Sequence, residues 1–498
     1  MAAITTATSK RFQFAFINIT DPKDLTHADN QRTIRRHAWD AGRPHKRRRR
    51  RNDTFNLSDF HPSATDYASI VPVQQVNNDH GRQKDEGPKK YLEEAERIPP
   101  NQYLSTDCLR PLGAGRGLDP LAPFPIPSNS RIVQLIDFAQ KDSGQMHIIW
   151  ISVVMSDRSA FQLSLAHSAL LMARQDDSEI QENDEALKYY TNALNSVNNR
   201  LCDPIDNTSE GIIGAILGFC CYECAVGKNF SGLQMHLDGL ERVVQRRGGI
   251  ETLQSPPLRI LTNWLDVTGS MLLDTHPRFS VPKEFVHVPN ATQQSPGLTA
   301  SIQAWNDRYP SFKDISSVLV SIASLSSEVN RAATNPQFWR DELFIGVRLN
   351  PVAHQLLMLP RFNLPEQIET GLDEGLLIRE IIRLTSMVFL GLLKRQFRIQ
   401  FDGISKHGRR LAQLLTAYSF DWYSFTNLHL WALIISTIVE EDRGVLVARI
   451  VDVISNTGAA DWHDALLMIK DIAWVDEVAT HVIYDIGSEI SFHLKNGY

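Results

Sequence analysis

Cysteine is scarce in this chain. Five residues in 498 (Cys108, Cys202, Cys220, Cys221 and Cys224) are too few and too scattered for a disulfide framework. A reducing compartment, cytosol or nucleus, is expected. Long apolar runs are missing as well. The longest, residues 212–221 and 430–439, fall well short of the roughly 20 residues that a membrane helix needs. A soluble protein with no membrane partner is expected. Residues 1–10 are rich in Thr and Ser without a long apolar core, so no secretory signal is expected there. There is no G-x-S-x-G elbow, no H-E-x-x-H and no P-loop lysine, which removes the common local signatures of hydrolases, zincins and nucleotidases. Strand–helix alternation and short repeats of fixed period are also missing. The expectation is therefore an all-α chain with no catalytic residues, no metal and no cofactor.

What the chain does have is an uneven charge. Hydrophobic residues make 43% of it and charged ones 22%, the balance of an ordinary globular protein. The net charge is −6, yet residues 1–60 hold 13 Lys/Arg against 6 Asp/Glu, a charge of +7, which leaves −13 on residues 61–498. The centre of the positive charge is Lys46, Arg47, Arg48, Arg49, Arg50 and Arg51, with Arg32, Arg35 and Arg36 upstream. A folded surface has no use for so much self-repulsion in one place. An import signal, a phosphate-binding arm and a solvated charge block are the three readings. An import receptor and DNA are the corresponding partners. Arginines alone would grip the DNA backbone without selecting a sequence, because selection needs side chains docked in a groove.

Three regions follow from composition. Residues 1–60 are a basic arm, and residues 61–130 a polar, largely disordered stretch that ends in a Pro-rich linker. Residues 131–498 are a large helical domain. Within it, Leu233, Leu237, Leu240 and Val244 recur at steps of four, three and four and form one apolar stripe. Ser231 and Gln234 have capping-box spacing, with Phe230 and Met235 placed as a hydrophobic staple. Arg246 and Arg247 suit the negative end of that helix, and Gly248-Gly249 supplies a left-handed stop. A second stripe (Leu258, Leu261, Leu265 and Leu272) follows before Pro277, making a helical hairpin. Residues 209–226 are apolar all round and predict a buried helix. Irregular chain is expected over 282–310. Beyond it, helical patterns cover 316–332, 336–349, 374–394, 406–418, 422–441, 445–455 and 461–494.

Candidate chemistry is thin. Cys221-x-x-Cys224 spells half a zinc site, but no second ligand pair lies nearby, and small buried hydrophobes are the simpler role. Gly113-Ala114-Gly115-Arg116-Gly117 lacks the strand and helix that a phosphate loop needs. Asp266 and Asp274 read as exposed or capping carboxylates rather than an acid–base pair. His236 reads as a satisfied polar position.

Three stretches together resemble a known family. The first is Phe14, Phe16, Asn18, Pro22, Asn30, Ile34, Arg35, Arg36, His37 and Ala38. The second is Leu112, Gly113, Gly115, Arg116, Asp119 and Pro120. The third is His236, Gly239, Leu240, Arg247, Gly248, Gly249, Ile250, Trp264, Asp266, Pro277, Arg278 and Phe279. In this order they are similar to proteins of the fungal-specific transcription factor domain family, the helical regulatory module of many zinc-cluster activators. The resemblance implies a nuclear, all-helical regulator, often tied to metabolic gene clusters, including those of secondary metabolism. Other transcription factors are expected partners. Zinc-cluster members carry six closely spaced cysteines, a pattern the five here do not make. The alternative expectation is therefore a co-regulator or helical scaffold without its own DNA contact.

Overall fold

The structure is a computed structural model describing residues 124–496, apart from 141–144, 177–182, 227–229, 286–293, 362–373, 398–402, 419, 421, 423–424, 458, 460 and 479. The chain divides into two units, Met1–Pro99 and Pro100–Tyr498. The first lies wholly outside the described residues, and so does every expectation for the basic arm.

The described part of the second unit is helical, with no strand among the described residues. In chain order they are α1 (Ser130–Gln140), α2 (Gln145–Val154), α3 (Arg158–Asp176), α4 (Asp184–Leu201), α5 (Glu210–Val226), α6 (Phe230–Arg247), α7 (Pro256–Leu273) and α8 (Pro296–Arg308). Then come α9 (Asp314–Ala332), α10 (Asn350–Leu357), α11 (Glu374–Gln396), α12 (Gly403–Ala417), α13 (Thr426–Val439), α14 (Gly444–Thr457), α15 (Trp462–Lys470) and α16 (Thr480–Asn496). Helices α3 to α6 pack consecutively in one half, and α11, α12 and α13 form the centre of the other. Helix α7 touches α2, α5, α6, α10 and α12, and so joins the two halves. Among the described residues no helix is long and apolar enough to cross a membrane.

The stripes land where the spacing put them. Leu233, Leu237, Leu240 and Val244 of α6 have no exposure, and Leu258, Leu261, Leu265 and Leu272 of α7 are buried. Each contributes about 1.5–3 kcal/mol by leaving water. Helix α5 is closed off from Ile212 to Cys220. Cys220 packs there as a small hydrophobe, and burial pushes its thiol up, as it does that of half-buried Cys221.

Four expectations need correction. Helix α6 begins at Phe230, so Ser231 lies inside it rather than at its cap, and Met235 is 62% exposed rather than stapled. Residues 282–310 are not all irregular, because Ser295 accepts the Leu298 N–H at 3.1 Å and Pro296 opens the thirteen-residue α8. The pattern over 336–349 breaks into a 3-10 stretch (Pro336–Arg340), one α turn (Glu342–Phe344) and a π-helix (Ile345–Leu349). The 461–494 pattern is two helices, α15 and α16, separated by a stretch that includes a 3-10 turn (Asp476–Val478).

Helix α6 stops at two left-handed glycines, Gly248 (φ 109°) and Gly249 (φ 102°). The Gly249 N–H returns to the Val244 carbonyl at 2.9 Å, the long bond of a Schellman closure. Gly249 has ψ 170°, a conformation essentially restricted to glycine. A Cβ there meets no atom within 4 Å, so Gly249→Ala isolates the backbone cost. The expected loss is about 1–3 kcal/mol. Gly239→Ala, mid-helix with equally open space, should instead be neutral or gain about 0.5–1 kcal/mol. Urea unfolding of the two variants checks the contrast, and equal effects would contradict it.

Candidate functional site

Helix α7 owes its start to Ser255, which accepts the Leu258 N–H at 3.4 Å, and to Pro256 and Pro257 in the first turn. Its apolar stripe would suffice for a core helix. It also carries a polar seam, Asn263, Asp266, Ser270 and Asp274, at steps of three, four and four, so these residues share one side. Asn263, Asp266 and Ser270 have no exposure. Asp274 ends the helix in the left-handed region, at φ 55°.

The chain after Asp274 folds back along this seam as a strap. The Thr275 N–H returns to the Ser270 carbonyl at 3.0 Å, and the Ser270 hydroxyl donates to the His276 carbonyl at 3.3 Å. Asp266 Oδ2 then accepts the N–H groups of Arg278 and Phe279, at 2.8 and 2.9 Å. A buried carboxylate is thereby used as a backbone clamp. Burial pushes its carboxyl up to about 6 against the two N–H bonds and the nearby Arg278 charge, which pull it down. The Arg278 side chain leaves the strap to meet Asp238 at 2.6 Å, and a His354 ring nitrogen of α10 meets the Phe279 carbonyl at 2.9 Å.

At the near end of the strap lies a cluster of charges. Arg383 of α11, 1% exposed, donates to both oxygens of Asp274 at 2.7 and 2.8 Å. It also donates to both oxygens of Glu380, at 2.8 and 2.9 Å. Arg361 meets Asp274 at 3.0 Å and the Thr275 carbonyl at 2.8 Å, and Arg410 of α12 meets Glu380 at 3.1 Å. Burial would raise the Asp274 carboxyl, but the hydrogen bonds and charge of Arg383, with Arg361, hold it well below the usual carboxylate range. Three helices and the strap thus meet at one ion cluster.

The comparisons with known proteins bear on this same body. A family model described as the fungal specific transcription factor domain matches residues 124–450. The chain belongs to that family. No curated protein and no solved structure matches it.

The residues of the third stretch all sit within this transcription factor domain, in structural positions. His236, 8% exposed, stacks on Phe219 at 4.8 Å and lies 3.1 Å from the Tyr190 hydroxyl; burial lowers its pKa to about 4, so it is neutral. Arg247 donates to the Thr208 carbonyl at 2.8 Å and pairs with Glu210 at 3.4 Å, tying the end of α6 to the start of α5. Trp264 lies against the π-helix, where a Cβ on Gly346 would come within 3.3 Å of its ring. Pro277 lies in the strap and Asp266 clamps it. The structure thus brings Asp266, Pro277, Arg278 and Phe279 together, with Trp264 on a different side of α7. Asp266 and Asp274 are neither solvent-facing nor an acid–base pair: one binds backbone and the other binds arginines. Arg32, Arg35, Arg36 and residues 46–51 lie outside the described residues.

Sequence reasoning missed the partners of this site. Arg361, Glu380, Arg383 and Arg410 carry no local mark, and neither does Lys394, which is fully buried. Its ammonium reaches Thr268 Oγ1 at 3.2 Å, and burial lowers it to about 7. Among the described residues no group of three or more His, Cys, Asp or Glu is placed to hold a metal ion.

Proposed function

We propose that this protein is a nuclear regulator of transcription of fungal type. Its helical body takes partner or effector contacts, and its arginine arm brings it to the nucleus and to DNA. The observation that carries the reading is the family match over residues 124–450. The +7 charge of residues 1–60 ahead of a body carrying −13 supports it, since a basic arm suits an import receptor or a polyanion. The role in this reading is regulatory, in keeping with the family description. Control of a secondary-metabolite gene cluster is the finer part of the proposal and rests on the three-part resemblance alone.

Deleting residues 46–51 from a fluorescent full-length fusion should abolish nuclear accumulation. An unchanged nuclear signal would remove the import role from this segment.

A second reading is favoured by the cysteine count. Five scattered cysteines do not make the six-cysteine cluster by which zinc-cluster activators hold DNA. In that reading the protein is a co-regulator that reaches chromatin through other factors. Occupancy that survives the loss of each partner would argue against it.

A further inference from the structure

Helix α16 carries apolar side chains on two sides, and the fold uses one of them. Inward, Ile486 and Ile490 have no exposure, and Gly487 packs against Trp462 of α15, leaving no room there for a Cβ. Outward, Tyr484 is 72% exposed and Phe492 63%. With Ser488 between them they stand at steps of four and share one face, the two rings about 12 Å apart along the axis. The Ser488 hydroxyl donates to the Tyr484 carbonyl at 2.8 Å. The polar group between the rings is thus satisfied within the helix, and covering this face strands no donor. Single exposed apolar residues are ordinary, but aromatic rings grouped on one outer face have the composition of an interface centre.

The surroundings are acidic. Residues 451–498 hold 2 Lys/Arg against 8 Asp/Glu, a charge of −6, close to half of the −13 on residues 61–498. Glu477, just ahead of α16, and Asp485, within it, are exposed, and Lys495 is an exposed cation in its last turn. This segment begins where the family match ends, at residue 450. A second copy laid on the same face would bring two acidic segments together, which like charges oppose. A cationic partner has the complementary sign.

We propose that the outer face of α16 docks a cationic amphipathic surface of another protein, apolar at its centre and rimmed with lysine and arginine. Tyr484 and Phe492 pack into the apolar centre, and the acids around them meet the rim, the usual layout of an interface. The inference rests on exposure and charge, not on the transcriptional reading. Its test, on purified protein, does not depend on nuclear transport.

A labelled amphipathic helical peptide of leucine and lysine is a minimal form of such a surface, and its binding to the full chain, read by fluorescence anisotropy, tests the proposal. Tyr484→Ser combined with Phe492→Ser should weaken binding by about tenfold or more. The urea midpoint should stay unchanged, because neither ring lies in the core. Met235→Ser, which removes a side chain 62% exposed on α6, should leave binding as it is. A peptide with serine in place of leucine keeps the charge and should bind about tenfold more weakly or worse. Equal affinity for the two peptides, or of the parent and the double variant for the first, would overturn the proposal. Two further results would overturn it by naming a different occupant. Self-association of the chain that the double variant abolishes, seen by sedimentation, would make it a second copy. Peptide binding about tenfold tighter after deletion of residues 46–51 would make it the basic arm.

Discussion

Replacing Arg383 by methionine is expected to destabilise the helical body by roughly 3–5 kcal/mol, the cost of breaking a buried ion pair from one side. Its guanidinium supplies four short bonds, two to Asp274 and two to Glu380. Without it, the Glu380 side chain, 2% exposed, keeps only the Arg410 contact at 3.1 Å, and Asp274 leans on Arg361. Methionine fills much of the volume, so the loss reports the stranded carboxylates rather than a void. Adding Glu380→Leu should restore part of it, because apolar side chains of similar size replace buried ions at little cost. Urea unfolding gives both numbers. A single-variant loss below about 1 kcal/mol, the range of exposed pairs, would show that water reaches the cluster.

Asp266→Asn should change how stability depends on pH. Burial raises the Asp266 carboxyl from an ordinary 3.8 to about 6, so the folded state holds this proton more tightly than the unfolded chain. Its contribution is fully present below about pH 4 and is lost as pH rises through 6. Asparagine keeps an oxygen for the Arg278 and Phe279 N–H groups but does not titrate there. The stability of the parent relative to Asp266→Asn should therefore fall by roughly 2–2.5 kcal/mol between pH 4 and pH 7. Asp274, held low by arginines, works in the opposite direction: its contribution is present above the usual carboxylate range and is lost as pH falls. Comparing the two proteins at each pH cancels that effect. A flat difference would mean that Asp266 is hydrated in the folded protein.

The sequence made one side of this architecture legible. Stripes such as Leu233–Leu237–Leu240–Val244 repeat at the helical period, and burial follows from the period alone. The Gly248-Gly249 stop was equally plain, because only glycine takes those backbone angles comfortably. The polar seam of α7 was not plain. Asp266 and Asp274 look like surface residues, since what buries them is a strap and three arginines that lie 87 to 136 positions further on for Asp274. Arg379, Glu380 and Arg383 likewise have the spacing of a solvated helical face, yet tertiary partners enclose all three. The π-helix at Ile345–Leu349 runs into Pro351, which has no N–H to give the turn before it, and its Gly346 lies against the Trp264 ring; neither contact nor bulge is plain from the apolar pattern. Of the candidate site, the positions around Trp264 and Asp266 were visible as a resemblance, and their physical roles only through contacts distant in sequence.

The central claim is that this member of the fungal transcription factor domain family regulates transcription. Genome-wide chromatin occupancy of the tagged full chain, set beside the transcript profile of a deletion strain, tests it most directly. The predicted result is occupancy at promoters whose genes change expression on deletion, including biosynthetic genes adjacent to this one. Occupancy no higher than in an untagged strain, together with an unchanged transcript profile, would contradict it.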